Sequence, residues 1–583
     1  MRSFIKIFFA SFLALFFFSL LCVFILIVII AGASSPEKAD VGNKAVISLD
    51  LTKEYKEQRQ ENPFTGFVPD AEDIPGLFEL TRLIKHAKSD SAVKGIYIKC
   101  NGNANGFAAS QEIRNALLDF KTSKKFVIAY GEYISQDAYY VASLADKIYC
   151  NPKGMVEWKG LSTTLPFFKG TLEKLEIKPQ VFYAGKFKSA TEPFRESKMT
   201  PANRLQTSVY LGDLYAQLLM SVAQRTGSDT ATLHRLADEG VMQTAADAVR
   251  YRFIDAMKYD DEVRNDLIKR LSAEENAKIN FIEPGKYAKA VELGNSKGDK
   301  IAVIMAEGEI IDGKGQSGQV GSQDFIEIIR KARLDKSVKA IVLRVNSPGG
   351  SSLASDVIFR ELQVAKQTKP VVVSFGDVAA SGGYYISCGA DSIFAQPNTI
   401  TGSIGVFALI PDMSGFFQNK LGMTFDRVKT GPFADMISVD RPLSDGERKI
   451  IQNSIDTIYF DFKSRVASGR KMSMEMVDSI AQGRVWTGQR ALTIGLVDKM
   501  GSLQEAINCA ARLAKMDEYR IKEYPERKGF FERFVSGYRS EAQTKIIKEE
   551  IGVEQYEMFQ RLKNIKSMFY VPQARLPFQL DFD

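Results

Sequence analysis

The sequence predicts an α/β protein made of two tandem copies of one domain behind an N-terminal transmembrane helix. Three observations predict it. Val93 to Gly160 align with Val338 to Gly405 without a gap: Val93-Lys94 answers Val338-Lys339, Gly131 answers Gly376, Tyr139-Tyr140 answers Tyr384-Tyr385, and Pro152 answers Pro397. Within each copy, short β-branched runs alternate with amphipathic helical stretches, the pattern of parallel β/α units. Ahead of both copies, Ile7 to Ala33 is apolar and uncharged, interrupted only by Ser11, Ser19 and Gly32.

About 20 apolar residues span a bilayer as a helix, whereas the apolar core of a cleaved signal is about 7 to 15 long. Residues 1–35 are therefore expected to be a retained anchor, although Ala31-Gly32-Ala33 also has the small-residue character of a cleavage site. Arg2 and Lys6 favour a cytoplasmic N-terminus, which puts the rest of the chain on the outer side. With 583 residues the chain is too long for one core. The repeat divides it into a first copy at 44–283, a linker at 284–300 rich in Gly, Asn and Ser, a second copy at 301–525, and a tail at 526–583.

In the first copy, strands are expected at 44–52, Gly95 to Lys99, Phe126 to Tyr130 and Lys147 to Cys150. Helices are expected at Ala109 to Phe120, Asp137 to Ala145 and through much of 200–250. A polar insertion, Tyr55 to Asp73, has no counterpart in the second copy and reads as a surface loop. The tail, with Phe530, Phe531, Phe534 and Tyr538 before a helical stretch, matches neither copy and is expected to pack on the parent fold or a neighbouring subunit.

The chemistry is expected at Ser381. Val371 to Val373 form a buried β-run that leads into Ala379-Ala380-Ser381-Gly382-Gly383, and Tyr384-Tyr385-Ile386 continue as helix. A serine at such a strand-to-helix turn exposes its hydroxyl, and the next backbone N–H is placed to bind an oxyanion. A second turn, Asn346-Ser347-Pro348-Gly349-Gly350-Ser351, follows another β-run, so amides at Gly349 and Gly350 join Gly382 as candidate oxyanion donors. Alone, each turn is weak evidence, because Gly and Pro mark turns everywhere.

A serine nucleophile needs a base. The two histidines, His86 and His234, lie in amphipathic helical patterns away from any acid or turn, so lysine is the expected base. Lysine serves only where burial or positive neighbours lower its pKa. The repeat selects one. The first copy has Gln136 where the second has Ser381, and Ala104-Asn105 where the second has Gly349-Gly350. Conversely, aligning Gly185 with Gly431 and Phe187 with Phe433 sets Lys188 opposite Ala434. Each copy keeps what the other lacks, which predicts one site built from both. Lys186 competes with Lys188, lowers its pKa by its charge, or is simply a solvated lysine, and Ser403, in Thr401-Gly402-Ser403-Ile404-Gly405, is either an orienter of the amine or a plain turn residue.

Together AASGGYY, NSPGGS, TGSIG and KSATEPF (residues 188–194), in a tandem repeat behind an apolar helix, closely resemble the long form of the signal peptide peptidase A (protease IV) family. The resemblance covers about residues 45–520 and implies tandem ClpP/crotonase-like domains, Ser381 as nucleophile and Lys188 as general base. It further implies a homotetramer in a bacterial inner membrane that degrades signal peptides released after secretion.

Composition excludes other classes. The net charge of +7 is dispersed, with no basic stripe interleaved with aromatics, so no nucleic-acid partner is expected. No phosphate loop or His/Cys metal cluster occurs, and no cofactor is required. The five cysteines show neither metal-type spacing nor a disulfide framework. Two rivals remain at this level: a crotonase-like acyl-thioester enzyme, and a catalytically silent membrane scaffold.

Overall fold

The computed structural model describes residues 2–33, 40–60, 73–294, 297–316, 318–526 and 572–576. Two parallel sheets carry the two copies. The first runs, edge to edge, Ala256–Met257, Lys147–Val156, Phe126–Ile134, Val93–Lys99, Ala45–Asp50 and Phe281–Ile282. The second is centred on Val371–Ala380, Val338–Ser347 and Asp299–Glu307, with Tyr519–Tyr524 at one edge and Ile400–Gly402 then antiparallel Val485–Thr487 at the other. Strands such as Ile341-Val342-Leu343 are fully buried, as β-branched runs covered on both faces should be.

The copies share more than their sheets. In the first, Tyr139 Oη donates to Phe253 O, and Asp255 accepts from Ile148 N and pairs with Arg225. In the second, Tyr384 Oη donates to Leu496 O, and Asp498 accepts from Ile393 N and pairs with Arg470. The gapless alignment slips by one residue in a single strand. Ile96 pairs with Val127, whereas its counterpart Ile341 pairs with Val371 rather than Val372. In the second ladder a register shift follows between Val345 and Ser347, ahead of the two tyrosines.

A third, six-stranded sheet crosses between the copies. Its order is Gln319–Gly321, Glu309–Ile311, Gly349–Ser351, Gln573–Arg575, Val406–Asp412 and Lys178–Ala184. Lys178–Ala184 comes from the first copy and pairs antiparallel with Val406–Asp412 along its whole length. In the second copy the matching residues, 424–430, carry no strand. The sheet therefore exists once, at the seam.

Charge also joins the copies. Arg344, 1 % exposed, pairs with Glu57 at 2.9 Å and Glu112 at 2.8 Å, and donates to Ser374 Oγ and Phe375 O. Asp377 Oδ1 accepts from Ala108 N and Ala109 N at the start of the helix Phe107–Lys121, where a carboxylate meets unpaired amides. Glu57 belongs to the polar insertion, so the near end of that segment is core rather than surface loop; residues 61–72 lie outside the described residues.

Other expectations shift. Pro284 to Ala290, read as connector, form a helix whose Tyr287 is fully buried and donates to Asp90 Oδ2. Most of the tail lies outside the described residues; only 572–576 are placed. Residues Arg2–Ala33 form one helix. No helix is long and apolar enough to cross a membrane among the described residues.

Candidate active site

Ser381 follows the strand Val371–Ala380 and precedes the helix Gly382–Ser387. Its backbone takes φ 54° and ψ −112°, a conformation L-residues rarely adopt and one that the surroundings must enforce. They do so through Ser381 N, which donates to Gly402 O at 2.8 Å, and Ser381 O, which accepts from Tyr385 N. The turn cannot relax without breaking the sheet edge beside it.

Lys188 arrives from the first copy. It leaves the seam strand Lys178–Ala184 and enters a short 3-10 turn, Ser189–Thr191. Phe187 N donates to Gln482 O, and Gln206 Nε2 donates to Phe187 O and Ser189 Oγ while its Oε1 accepts from Val485 N. Gly483, at φ 72°, fits flush against this backbone: a Cβ there would lie 2.6 Å from Lys188 N. The lysine is thus fixed by contacts on both copies.

The result is a closed cluster. Lys188 Nζ stands 2.8 Å from Ser381 Oγ, 3.1 Å from Ser403 Oγ and 3.2 Å from Ser403 O. Lys188 is 1 % exposed, and Ser381 and Ser403 are fully buried. Burial drives the Lys188 pKa well below the ordinary lysine value, with no carboxylate beside it to restore the charge. A neutral amine has two N–H donors and one lone pair, matching two contacts to Ser403 and one to the Ser381 hydroxyl. Ser403 itself adopts φ 51°, and its N–H donates to Arg484 O.

The candidate oxyanion residues divide. Gly349 N–H donates to Ser347 Oγ at 3.2 Å, so this glycine is not the donor expected from the sequence. Its part is to leave room: at φ 96°, a Cβ on it would stand 2.6 Å from Gly382 N and 2.0 Å from Ala574 O. Gly350 and Gly382 border the resulting notch. Ser355, unremarked in the sequence, lines it too, its Oγ 2.6 Å from a Cβ built on Gly382. The expected competitors lie elsewhere. Lys186 is exposed, its ammonium over the Phe187 ring, and His234 is exposed beside Asp238. In the first copy, the Gln136 side chain accepts from Lys159 N and Gly160 N and donates to Gly160 O, filling the position that Ser381 holds in the second.

A model of peptidase family S49 matches residues 119–274 and again 363–517. The chain belongs to peptidase family S49. It is a serine peptidase with the family domain in tandem, and a Clp protease model also matches residues 294–401. The S49 chain is 39% identical to Protease 4 of Salmonella typhi over 77% of its own length and 74% of that protein. It is 33% identical to the chloroplastic serine protease SPPA of Arabidopsis thaliana, over 81% and 69%. It is 38% identical to a putative signal peptide peptidase SppA of Enterococcus faecium, over 39% and 67%. Among the described residues no group of His, Cys, Asp or Glu is arranged to hold a metal ion.

Proposed function

We propose that this S49 peptidase works through a dyad in which Lys188, from the first repeat (44–283), is the general base for Ser381, from the second (301–525). The observation that carries the reading is a buried amine without a counter-charge, 2.8 Å from the hydroxyl of a strained serine. Neutral Lys188 takes the proton as Ser381 Oγ attacks the scissile carbonyl. Amides of Gly350 and Gly382 stabilise the oxyanion, Ser403 orients the amine, and the lysine ammonium then protonates the leaving amine. Water, deprotonated by the same lysine, releases the acyl group.

Apolar peptides of the signal-peptide type are the substrates in this reading. The printed name of the Enterococcus relative supports it, as does the seam sheet, whose strand slot between Gly349–Ser351 and Val406–Asp412 suits an extended peptide. The uncharged run Ile7 to Ala33 anchors the enzyme in a bacterial inner membrane with the catalytic part on the outer side. Phe8, Phe9, Phe12, Phe16 and Phe17 are all exposed on that helix, apolar surface that water does not favour on every face. A homo-oligomer, the tetramer implied by family resemblance, completes the proposal; the exposed Leu421, Met423, Phe425 and Val428 offer apolar surface for it.

Membership of a peptidase family favours hydrolysis of peptides over thioester chemistry or a silent scaffold. The test is labelling by a fluorophosphonate probe, together with hydrolysis of an added apolar peptide, in detergent-solubilised full-length protein. Wild type is expected to label and hydrolyse, Ser381→Ala to do neither, and Lys188→Met to lose both. Full activity in Lys188→Met would remove the dyad.

A further inference from the structure

At one corner of the active site, positive charge is held with nothing to neutralise it. The backbone that delivers the base, 185–188, runs beside residues 482–485 of the second copy: Phe187 N donates to Gln482 O, and Ser403 N donates to Arg484 O at 2.7 Å. Where these segments meet, the Arg484 guanidinium lies over two aromatic rings, 4.2 Å from the centre of Trp486 and 5.2 Å from that of Phe187. Lys186 reaches over the same Phe187 ring, 5.9 Å from its centre. Among the described residues neither cation has an ion-pair partner. Asp213, on the helix Pro201–Thr226, is taken by Arg490, which holds it through Nε and Nη2 at 2.5 and 2.8 Å. Burial and the charge of Arg490 both weigh against the Arg484 cation, and no carboxylate relieves it. A guanidinium laid on aromatic rings keeps its N–H edge in a set direction, ready for a planar carboxylate.

This corner lies downstream of the scissile bond. A chain in the slot runs antiparallel to both walls, as Gln573–Arg575 does against Gly349–Ser351 and, at Phe407, against Val406–Asp412. A substrate residue opposite Gly350, with its carbonyl in the notch, therefore faces Val406, and the residues after the cut pass Gly405, Ile404 and Ser403 in turn. Gly405 O is 3.5 Å from Ser381 Oγ, Ile404 O accepts from Gly483 N, and Ser403 N donates to Arg484 O. At ~3.3 Å per extended residue, about two or three residues beyond the cut bring a peptide to the two cations.

We propose that Arg484 and Lys186 form a carboxylate-binding subsite that receives the free C-terminal end of a short peptide, about two or three residues beyond the bond that Ser381 cuts. This rests on the Ser381–Lys188 reading and on the slot as the substrate's place. A peptide released by an earlier hydrolysis ends in a carboxylate, whereas an internal stretch of an intact chain offers only amides at that distance. The subsite therefore makes the enzyme favour fragments that another peptidase has produced, and shortens them from the C-terminal side. Trp486 and Phe187 act here by fixing the guanidinium, so that little of its freedom is lost when the carboxylate arrives.

The test compares one apolar peptide bearing a free C-terminal carboxylate with its C-terminal amide, in detergent-solubilised full-length protein, with the cut positions read by mass spectrometry. Wild type is expected to cleave the free acid with a kcat/KM at least about tenfold higher, chiefly through KM, and to cut it about two or three residues from its end. The acid-to-amide ratio is read within each variant, so a general loss of activity does not disguise it. Arg484→Met and Lys186→Met should each lower the ratio toward one, Arg484→Glu should invert it, and Arg484→Lys should retain part of it. An amidated peptide with Glu at the same distance separates the two sources of a carboxylate, and is expected to gain less than the free acid does. If that Glu gains as much, the site reads an acidic side chain rather than a terminus, and the inference falls. Equal cleavage of acid and amide by a wild type that labels with fluorophosphonate also overturns it and leaves the dyad standing. A wild type that neither labels nor hydrolyses either peptide sinks both.

Discussion

Lys188 and Arg344 are both cations at the seam between the repeats, each 1 % exposed, and they have opposite fates. Around Arg344, burial favours the neutral guanidine, but Glu112 and Glu57 outweigh it and hold the charge. Around Lys188 burial acts with no carboxylate against it, and the amine is pushed toward neutrality. One cation fastens the two halves; the other, in the proposed dyad, accepts a proton. Burial alone does not separate these roles, because it is the same in both places. The counter-charge does.

The largest expected effect comes from removing the base. Lys188→Met should lower peptide hydrolysis by about 10² to 10⁴-fold, the range of a lost general base. The same change should raise the thermal midpoint by a few degrees. The sign follows from proton binding: a lysine whose folded pKa is depressed binds fewer protons folded than unfolded. It therefore costs stability below its ordinary pKa, increasingly as pH falls toward the folded value. The gain from Lys188→Met should accordingly shrink as pH rises to about 10.4, the ordinary lysine value. Calorimetry across pH checks it.

Next comes Arg344→Met, which strands two carboxylates in the interior and should cost about 3 to 5 kcal/mol in denaturant unfolding. Burial already pushes Glu112 up to about 7, so part of that loss should be recovered at lower pH, where the carboxyls take up protons. A gain of stability at neutral pH would contradict the fastening role.

A smaller effect tests the comparison from the other side. Ser403→Asp gives Lys188 the carboxylate it lacks, and its pH–rate profile should move up by about 1 to 3 pH units. A profile that stays in place would mean the counter-charge is not what sets the amine. Smallest of all, Gln136→Ser should create no second nucleophile in a Ser381→Ala background, read as no fluorophosphonate labelling. The first copy has Ala104-Asn105 in place of the glycine notch, and its Lys188 is spent on the other site.

Much of this was legible in the residues. The pair Ser381 and Lys188 emerged because duplication left two copies to compare, and each had lost the part the other retained. Ser403 was legible as either an orienter of the amine or a plain turn serine, and the residues did not choose; its contact with Nζ requires the left-handed backbone that the fold imposes there. Three features were hidden for physical reasons. Glu57 sits in a polar insertion whose composition signals solvent, and only tertiary pairing with Arg344 takes it inside. The one-residue slip in the strand after Ile96 and Ile341 leaves the flanking glycines and tyrosines aligned, so identity matching passes over it. The strand Gln573–Arg575 is too short to announce itself, and its register depends on glycines more than two hundred residues earlier.

The central claim is that Lys188 is a base because it is buried without a counter-ion. It is tested most directly by the rate of Ser381 phosphonylation from about pH 6 to about pH 10, at constant ionic strength, across the interval where a desolvated lysine titrates. The account predicts a rate that rises with pH through a single ionisation well below the ordinary lysine value and then levels off, an ionisation absent from Lys188→Met. A flat profile, or a rise that begins only near about 10.4, would contradict it.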